Sequence, residues 1–337
     1  MEGTRHRAVF RYHPRWGHAF RAGLYVRVAH YEPHNRRDRS SYLITTNSQG
    51  GRTRHEPRPS GEGIHDVLWL GCSFTAGDGV SNPHRFPDLV EEALEGVRCH
   101  NWALSGSGND QQYLIHREVA PLIRPEVLVL SPYVGCIGRN LVEGRESFDP
   151  FCARRVFRPK PYFTLRGGRL HLHHQPVPRA RLLPSRRPGR RSLGERLRHA
   201  LGGRLRRLCD PEAERLGTQV YYRRPRSRAY RLTRAILLQT LAESRARYKV
   251  LLPLPHHLYF RQGEPPHYLS LFQEVAHRSG ALLWDPLPLL RRPSGVTVEE
   301  LTLSHHHYSE PCHRLLAGFL APRLAELLGL PRRGKHA

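Results

Sequence analysis

The sequence lacks three features that would place it in a membrane, secreted or disulfide-rich class. None of its apolar runs approaches the roughly 20 residues that a membrane-spanning helix requires. Residues 1–15 carry charges without an apolar segment, so we expect no secretory signal. The six cysteines form no Cys-x-x-Cys pair, which predicts a protein of the reducing cytoplasm; they are Cys72, Cys99, Cys136, Cys152, Cys209 and Cys312.

Lysine is also scarce, although the chain is strongly basic. The chain has 54 Lys and Arg residues, of which only Lys160, Lys249 and Lys335 are lysines. Together with 29 Asp and Glu residues, they give a net charge of +25. Such an excess can attract nucleic acid or anionic surfaces through phosphate contacts. The arginines, however, are spread along the whole chain, which favours a compositional bias. We therefore expect any nucleic-acid binding to be nonspecific, and we see no nucleic-acid-binding motif beyond charge.

The dominant pattern of the sequence is an alternation of strands and helices. Apolar runs at 67–70, 99–104, 126–131, 248–254 and 281–285 predict strands, and segments with one apolar face predict helices between and after them. Ser81, Asn82 and Pro83 mark the expected start of the first of these helices, and Ser309 that of the last. This alternation predicts an α/β fold, with a doubly wound parallel sheet in three α/β/α layers.

Two regions depart from the alternation. Residues 1–63 predict a β-rich N-terminal extension, and residues 64–330 predict the α/β domain, with an arginine-rich insertion at about 157–232. Within the insertion, 161–172 predicts a β-hairpin, and 193–208 predicts a basic amphipathic helix. Such a helix could form a patch that binds phosphate or anionic lipid. Alternatively, the segment is a solvated insertion without a binding role.

Ser73 lies at the point that organises the rest of the chain. The apolar run Val67–Leu70 ends at Gly71, which predicts a buried strand entering a tight turn. Open α/β sheets build their sites at the carboxyl ends of their strands. Ser73 is therefore either a turn residue or a candidate nucleophile.

Three blocks of sequence extend this observation. They are Gly71-Cys-Ser-Phe-Thr-Ala-Gly77, Asn101-Trp-Ala-Leu-Ser-Gly-Ser-Gly-Asn-Asp-Gln111 and His307-Tyr-Ser-Glu-Pro-Cys-His-Arg-Leu-Leu-Ala317. Over residues 64–330 the chain resembles the SGNH/GDSL hydrolase superfamily, whose members share a flavodoxin-like sheet. The resemblance implies Ser73 as nucleophile and His307 as its base, with the N–H groups of Ser73 and Gly106 as oxyanion donors.

The sequence departs from the family pattern at four positions. Cys72 replaces the family's Asp before the serine, and Ser304 replaces the Asp that precedes the histidine by three residues. The oxyanion asparagine falls on Gly135 or Cys136, and Cys312 replaces the glycine that opens the last helix. Loss of the orienting Asp costs serine proteases about 10⁴-fold in kcat. Ser304 or a backbone carbonyl could orient His307, and Asn140 or a backbone N–H could supply the missing donor.

These residues predict a serine hydrolase that removes an ester-linked acyl group, acetyl in our leading hypothesis, from a small molecule or carbohydrate, without a cofactor or metal. The departures leave open a relative that binds a ligand or partner without turnover. A third hypothesis is a zinc or thiol site, because Cys72, Cys136, Cys312 and His305–His307 would approach one pocket.

Overall fold

The computed structural model describes residues 9–29, 41–149, 154–183, 217–261, 263, 265–303 and 306–331. Within these ranges the strands are β1 (Phe10–His13), β2 (Gly17–Phe20), β3 (Tyr25–Ala29), β4 (Ser41–Thr45), β5 (His65–Gly71), β6 (Val97–Asn101), β7 (Val127–Ser131), β8 (Gly144–Asp149), β9 (Arg154–Pro159), β10 (Tyr162–Arg166), β11 (Arg169–His173), β12 (Arg181–Leu182), β13 (Tyr248–Leu251) and β14 (Leu282–Leu283).

The α-helices of the same ranges are α1 (Ser73–Ala76), α2 (Phe86–Ala93), α3 (Asn109–Ile123), α4 (Arg228–Glu243), α5 (Leu269–Ser279), α6 (Leu287–Arg291) and α7 (Glu310–Leu328). Short 3-10 helices lie at Val134–Leu141, Gly217–Arg223, His257–Tyr259 and Glu299–Leu301. None of the helices in the described ranges combines the length and the apolar character that crossing a bilayer would require.

Five parallel strands form the central sheet, in the order β14-β13-β7-β5-β6. Counted along the chain, this order is 2-1-3-4-5, which is the flavodoxin-like arrangement. Val67–Leu70 of β5 is fully buried, as expected for an apolar strand that is covered on both faces. The predicted doubly wound parallel sheet is confirmed.

The connections between these strands explain the three layers. α2 connects β5 to β6, which lies at one edge of the sheet. The later connections, through α3, α4 and α5, lead toward the other edge, where β14 lies. Because parallel crossovers are right-handed, α2 lies on one face of the sheet and the other three helices on the opposite face. The packing agrees, since α3 contacts α4 and α4 contacts α5, whereas α7 packs against α2.

Antiparallel strands surround this domain. The hairpin β1–β2 and the pair β3–β4 precede the sheet, and β8, β9 and β12 form a separate three-stranded sheet. The predicted hairpin is confirmed as β10–β11, which turns at Gly167 and Gly168, both with positive φ. The predicted amphipathic helix at 193–208 lies outside the described residues, and the domain boundaries stay a prediction.

The predicted start of the first long helix is wrong. α2 begins at Phe86, with Arg85 at its N-cap and Pro87 in its first turn. Ser81 and Asn82 serve another purpose: the Ser81 hydroxyl accepts a hydrogen bond from the Leu43 N–H (2.9 Å), and the Asn82 side chain accepts one from Arg52. The last helix begins as predicted, because the Ser309 hydroxyl accepts from the Cys312 N–H.

A buried histidine links the two helices on the α2 face. His313 of α7 accepts a hydrogen bond from the Phe86 N–H through Nδ1 (3.1 Å), and its side chain is almost fully buried. Burial lowers the pKa of His313 to about 3, with a further contribution from the charge of Arg85. The folded protein therefore holds this imidazole neutral at pH values where the unfolded chain protonates it.

We expect the free energy of unfolding to fall as the pH drops below 6.5, the ordinary histidine pKa, and to continue falling toward pH 3. The unfolded state binds the proton first, which costs about 2 kcal/mol at pH 5 for this side chain alone. In chemical denaturation, His313→Gln should show a smaller loss between pH 7 and pH 5 than wild type. The exposed His277→Gln is the control; equal pH dependence in all three proteins would contradict the account.

Candidate active site

The nucleophile candidate lies in a turn that only a glycine permits. β5 ends at Gly71, and Ser73 begins the short helix α1. A Cβ on Gly71 would lie 2.2 Å from Thr75 Oγ1 and 2.8 Å from the Ser131 carbonyl oxygen. The helix thus lies directly against the strand ends, and this close approach fixes Ser73 at the carboxyl edge of the sheet.

Polar side chains from the two neighbouring strands hold α1 in place. The Thr75 and Ser131 hydroxyls lie 2.8 Å apart, and the Ser131 hydroxyl donates to the Leu70 carbonyl (2.8 Å). Asn101, at the end of β6, donates through Nδ2 to the Thr75 carbonyl (2.9 Å). Each of these groups is buried, so the position of Ser73 is determined by both strands that flank β5.

Two buried arginines support the other end of α1. Arg52, which follows β4, donates to the carbonyls of Ala76 and Gly77, and Arg85 also donates to Ala76. Burial, with repulsion from Arg85, lowers the pKa of Arg52 to about 9. The N-terminal extension therefore supplies part of the framework of the nucleophile turn.

His307 meets Ser73 across the edge of the sheet. Its Nε2 lies 2.8 Å from Ser73 Oγ, although the two residues are 234 positions apart in the chain. The His307 carbonyl accepts from the Leu303 N–H (2.8 Å), and the ring packs on Phe74 with centroids 4.9 Å apart. Ser304, the residue in place of the family's Asp, lies outside the described residues, so its predicted role stays a prediction.

Gly106 lies in a loop that is tied to the same turn. The Leu104 N–H and the Ser107 hydroxyl both donate to the Gly71 carbonyl, at 3.0 and 3.2 Å. Gly106 has φ +77°, a conformation that favours glycine. Ser73, as the first residue of α1, carries an N–H without an intrahelical acceptor. The structure thus keeps both predicted oxyanion donors in connected segments.

Asn140 does not replace the missing oxyanion asparagine. Its side-chain oxygen accepts from the Asn109 N–H (2.9 Å), and its Nδ2 donates to Asn109 Oδ1 (3.0 Å) and Thr233 Oγ1 (2.8 Å). These contacts use the amide to join the 134–141 segment to α3 and α4. Cys136, predicted at the asparagine position, is fully buried, and its thiol donates to the Ser107 carbonyl (3.5 Å).

Arg139 lies close to two buried thiols, those of Cys72 and Cys136, beside Ser73. Arg139 donates through Nη1 to the Ser107 carbonyl (2.9 Å) and to Cys136 Sγ (3.7 Å). Burial favours the neutral Cys72 thiol, but the hydrogen bond with Cys136 and the charge of Arg139 outweigh it and lower the pKa of Cys72. Burial and the adjacent Cys72 raise the pKa of Cys136. Cys72 Sγ lies 4.0 Å from Ser73 Oγ, so the thiol with the lowered pKa is the one beside the candidate nucleophile.

The described residues do not support the zinc hypothesis. Across the parts of the chain that the structure describes, no group of three or more His, Cys, Asp or Glu residues could hold a metal ion. His305 lies outside those parts. Cys72, Cys99, Cys136 and Cys312 are free thiols. Cys312 is buried in α7, where burial raises its pKa well above the ordinary thiol value.

Comparisons with known proteins return solved structures only. No protein-family model and no curated protein matches the sequence. Among solved structures, the chain is similar to a lipase/acylhydrolase from Enterococcus faecalis (12% identity, TM-score 0.42, 80% of this chain and 100% of that one). It is also similar to a catalytic mutant of the acetylxylan esterase Axe2 from Geobacillus stearothermophilus (13%, 0.42, 83% and 100%). A third is a putative G-D-S-L family lipolytic protein from Desulfitobacterium hafniense (13%, 0.40, 76% and 98%).

At these identities and TM-scores the likeness carries no argument, and the site rests on its own geometry. Sequence reasoning located Ser73, Gly106 and His307 but missed Arg52 and Arg139. In a chain so rich in arginine, neither has a sequence signal of its own. The sequence feature that points to Arg139 is its position in the block where the family's oxyanion asparagine is expected.

We expect Asn140→Ala to lower the free energy of unfolding by roughly 2–3 kcal/mol, because it leaves buried hydrogen-bonding groups of Asn109 and Thr233 without partners. Urea denaturation measures the change. Gln239→Ala, which removes an exposed amide from α4, is the control and should have little effect. A loss no larger than the control's would show that the Asn140 network does not stabilise the fold.

Proposed function

We propose that the protein is a serine ester hydrolase. The observation that carries this proposal is the 2.8 Å contact between Ser73 Oγ and His307 Nε2 at the carboxyl edge of the sheet. In the strand order 2-1-3-4-5, the switch point lies between β5 and β7, where open α/β sheets bind ligands. Ser73 follows β5, and the segment with Cys136 and Arg139 follows β7.

The proposed reaction has two halves. Ser73 Oγ attacks the ester carbonyl carbon while His307 Nε2 takes the hydroxyl proton. The N–H groups of Ser73 and Gly106 stabilise the oxyanion of the tetrahedral intermediate. His307 then protonates the departing alcohol oxygen, and the acyl group stays on Ser73. Water, deprotonated by His307, hydrolyses this acyl-enzyme and regenerates the serine.

The replaced residues bear on the rate of this reaction. Ser304 is proposed to orient His307, and a backbone N–H close to Cys136 is proposed as a third oxyanion donor. Because a serine in place of the Asp supplies no negative charge, we expect slower turnover than a complete Ser-His-Asp triad supports.

The proposed substrate is a small molecule or carbohydrate that carries an ester-linked acyl group, with acetyl as the first candidate. This choice extends the family resemblance of the sequence motifs. A ligand-binding relative without turnover is the second candidate function, favoured by the thiol of Cys136 where the family has an asparagine amide. Cytoplasmic location stays a prediction from the cysteine pattern.

We expect a fluorophosphonate probe to label wild type at Ser73, and 4-nitrophenyl acetate to be hydrolysed with burst kinetics or steady turnover. Ser73→Ala should abolish labelling, since it removes the attacking oxygen. His307→Gln should slow turnover by at least about 10³-fold, because the base is lost. The exposed Ser270→Ala is the control and should react like wild type. Labelling and turnover that survive in Ser73→Ala would refute the proposal.

Gly106 offers a second test, with a matched control elsewhere in the chain. Gly106 and Gly168 both have φ +77°, and Gly168 lies in the β10–β11 turn. Alanine at either position strains the backbone to a similar degree. We expect Gly106→Ala to lower kcat by roughly 10²–10³-fold through a displaced oxyanion donor, whereas Gly168→Ala should keep wild-type kcat. Equal kcat in the two variants would exclude the Gly106 N–H as a donor.

A further inference from the structure

A cavity rich in arginine opens beside the proposed oxyanion site. Its volume is about 660 Å³, and it lies between the β1–β2 hairpin and the β8–β9 strands, with Gly106 in its wall. A cavity of this size accommodates a small-molecule ligand. Five cationic side chains line it: Arg11, Arg145, Arg158, Lys160 and Arg179.

Two acidic groups near the cavity form ion pairs, one of them with a cation of the cavity wall. Lys160 forms a buried ion pair with Asp110, and Glu146 pairs with Arg155. Arg179 lies over the Tyr12 ring, with its guanidinium carbon 4.6 Å from the ring centroid. Among the described residues, Arg11, Arg145 and Arg179 form no ion pair, so the wall carries positive charge that no acidic group pairs with.

Arg145 is the lining cation that lies beside Gly106. Its Nη1 lies 3.5 Å from the point that a Cβ on Gly106 would occupy. Among the described residues, the exposed side chain of Arg145 makes no hydrogen bond and no ion pair; the cation Arg139 lies near it, as do Asp110 and the thiols of Cys72 and Cys136. Partial burial of its charge, together with repulsion from Arg139, lowers the pKa of Arg145. A bound anion would relieve this repulsion.

We propose that the ester substrate carries a small anionic group, phosphate or carboxylate, which binds in this cavity through Arg145. The inference rests on the proposed ester hydrolase function and names the substrate class of that site. A guanidinium presents paired N–H donors that match the oxygens of either anion. Because Gly106 lies in the wall of the same cavity, a substrate anchored there brings its ester next to this proposed oxyanion donor.

A second cavity shows why charge alone is an insufficient criterion. It has a volume of about 670 Å³ and lies between the β10–β11 hairpin and α4, with Arg169 and Arg231 among its lining residues. Gly106 lines the first cavity but not this one, and Ser73 and His307 line neither. Arg169 thus offers a control substitution, which removes one positive charge from an arginine-lined cavity without touching the proposed site.

The activity test compares three acetyl esters that differ in the charge of the alcohol: those of glycerol 3-phosphate, glyceric acid and glycerol. We expect wild type to prefer one of the anionic esters in kcat/KM, with a preference that weakens as salt is raised. Arg145→Gln should lower the ratio of anionic to neutral kcat/KM by roughly 10- to 100-fold, the value of a charge-assisted hydrogen bond. Arg169→Gln should keep the wild-type ratio. Equal kcat/KM for all three esters would overturn the inference while leaving an ester hydrolase in place.

The binding test does not depend on turnover. Inorganic phosphate, and acetate in a parallel arm, are titrated by calorimetry into the Ser73→Ala protein and into Ser73→Ala combined with Arg145→Gln or Arg169→Gln. We expect tighter binding for one anion, and its loss in the Arg145→Gln protein alone. Equal weakening by both arginine substitutions would reduce the effect to net charge and overturn the inference. Specific binding without hydrolysis of any ester would instead support the anion site and contradict the proposed function.

Discussion

The close approach of α1 to the ends of β5 and β7 is the constraint on which the site depends. Gly71 must lack a side chain, because Thr75 and Ser131 occupy the space that a Cβ would need. This contact places Ser73 at the switch point of the sheet, and the loop that carries Gly106 is bonded to the same Gly71 carbonyl. His307, which lies 234 positions further along the chain, contacts Ser73. One turn therefore brings three separate segments together.

The surroundings of this turn are unusually cationic and contain buried thiols. Arg52 and Arg139 donate to backbone carbonyls rather than to carboxylates, so their charge remains available to the site. The pair of Cys72 and Cys136 takes the place of the Asp and Asn that the family resemblance implies.

The sequence predicted the sheet because its strands are continuous apolar runs, of which Val67–Leu70 is the clearest, and it predicted the start of the last helix from Ser309. It failed at the start of α2, because the side chain of Asn82 is bonded to a distant arginine instead of capping the helix. Arg52 and Arg139 could not be identified from the sequence either, because contacts with distant residues also determine what they do. Their roles arise from carbonyls that only tertiary packing brings near, and arginine is too common here to stand out. The suggestion that Asn140 supplies an oxyanion donor failed because its amide is used within the fold.

The central claim is that Ser73 forms a covalent bond to the acyl group. Acid quenching of wild type during turnover of 4-nitrophenyl acetate, followed by peptide mass spectrometry, tests it most directly. The account predicts an acetyl group on Ser73. We expect more of it in His307→Gln, because Ser73 can attack this activated ester with less help from the base than water needs to hydrolyse the acyl-enzyme. Because Cys72 is adjacent and ionisable, fragmentation must separate the two residues. Acetyl on Cys72, or on neither residue while turnover continues, would contradict the account.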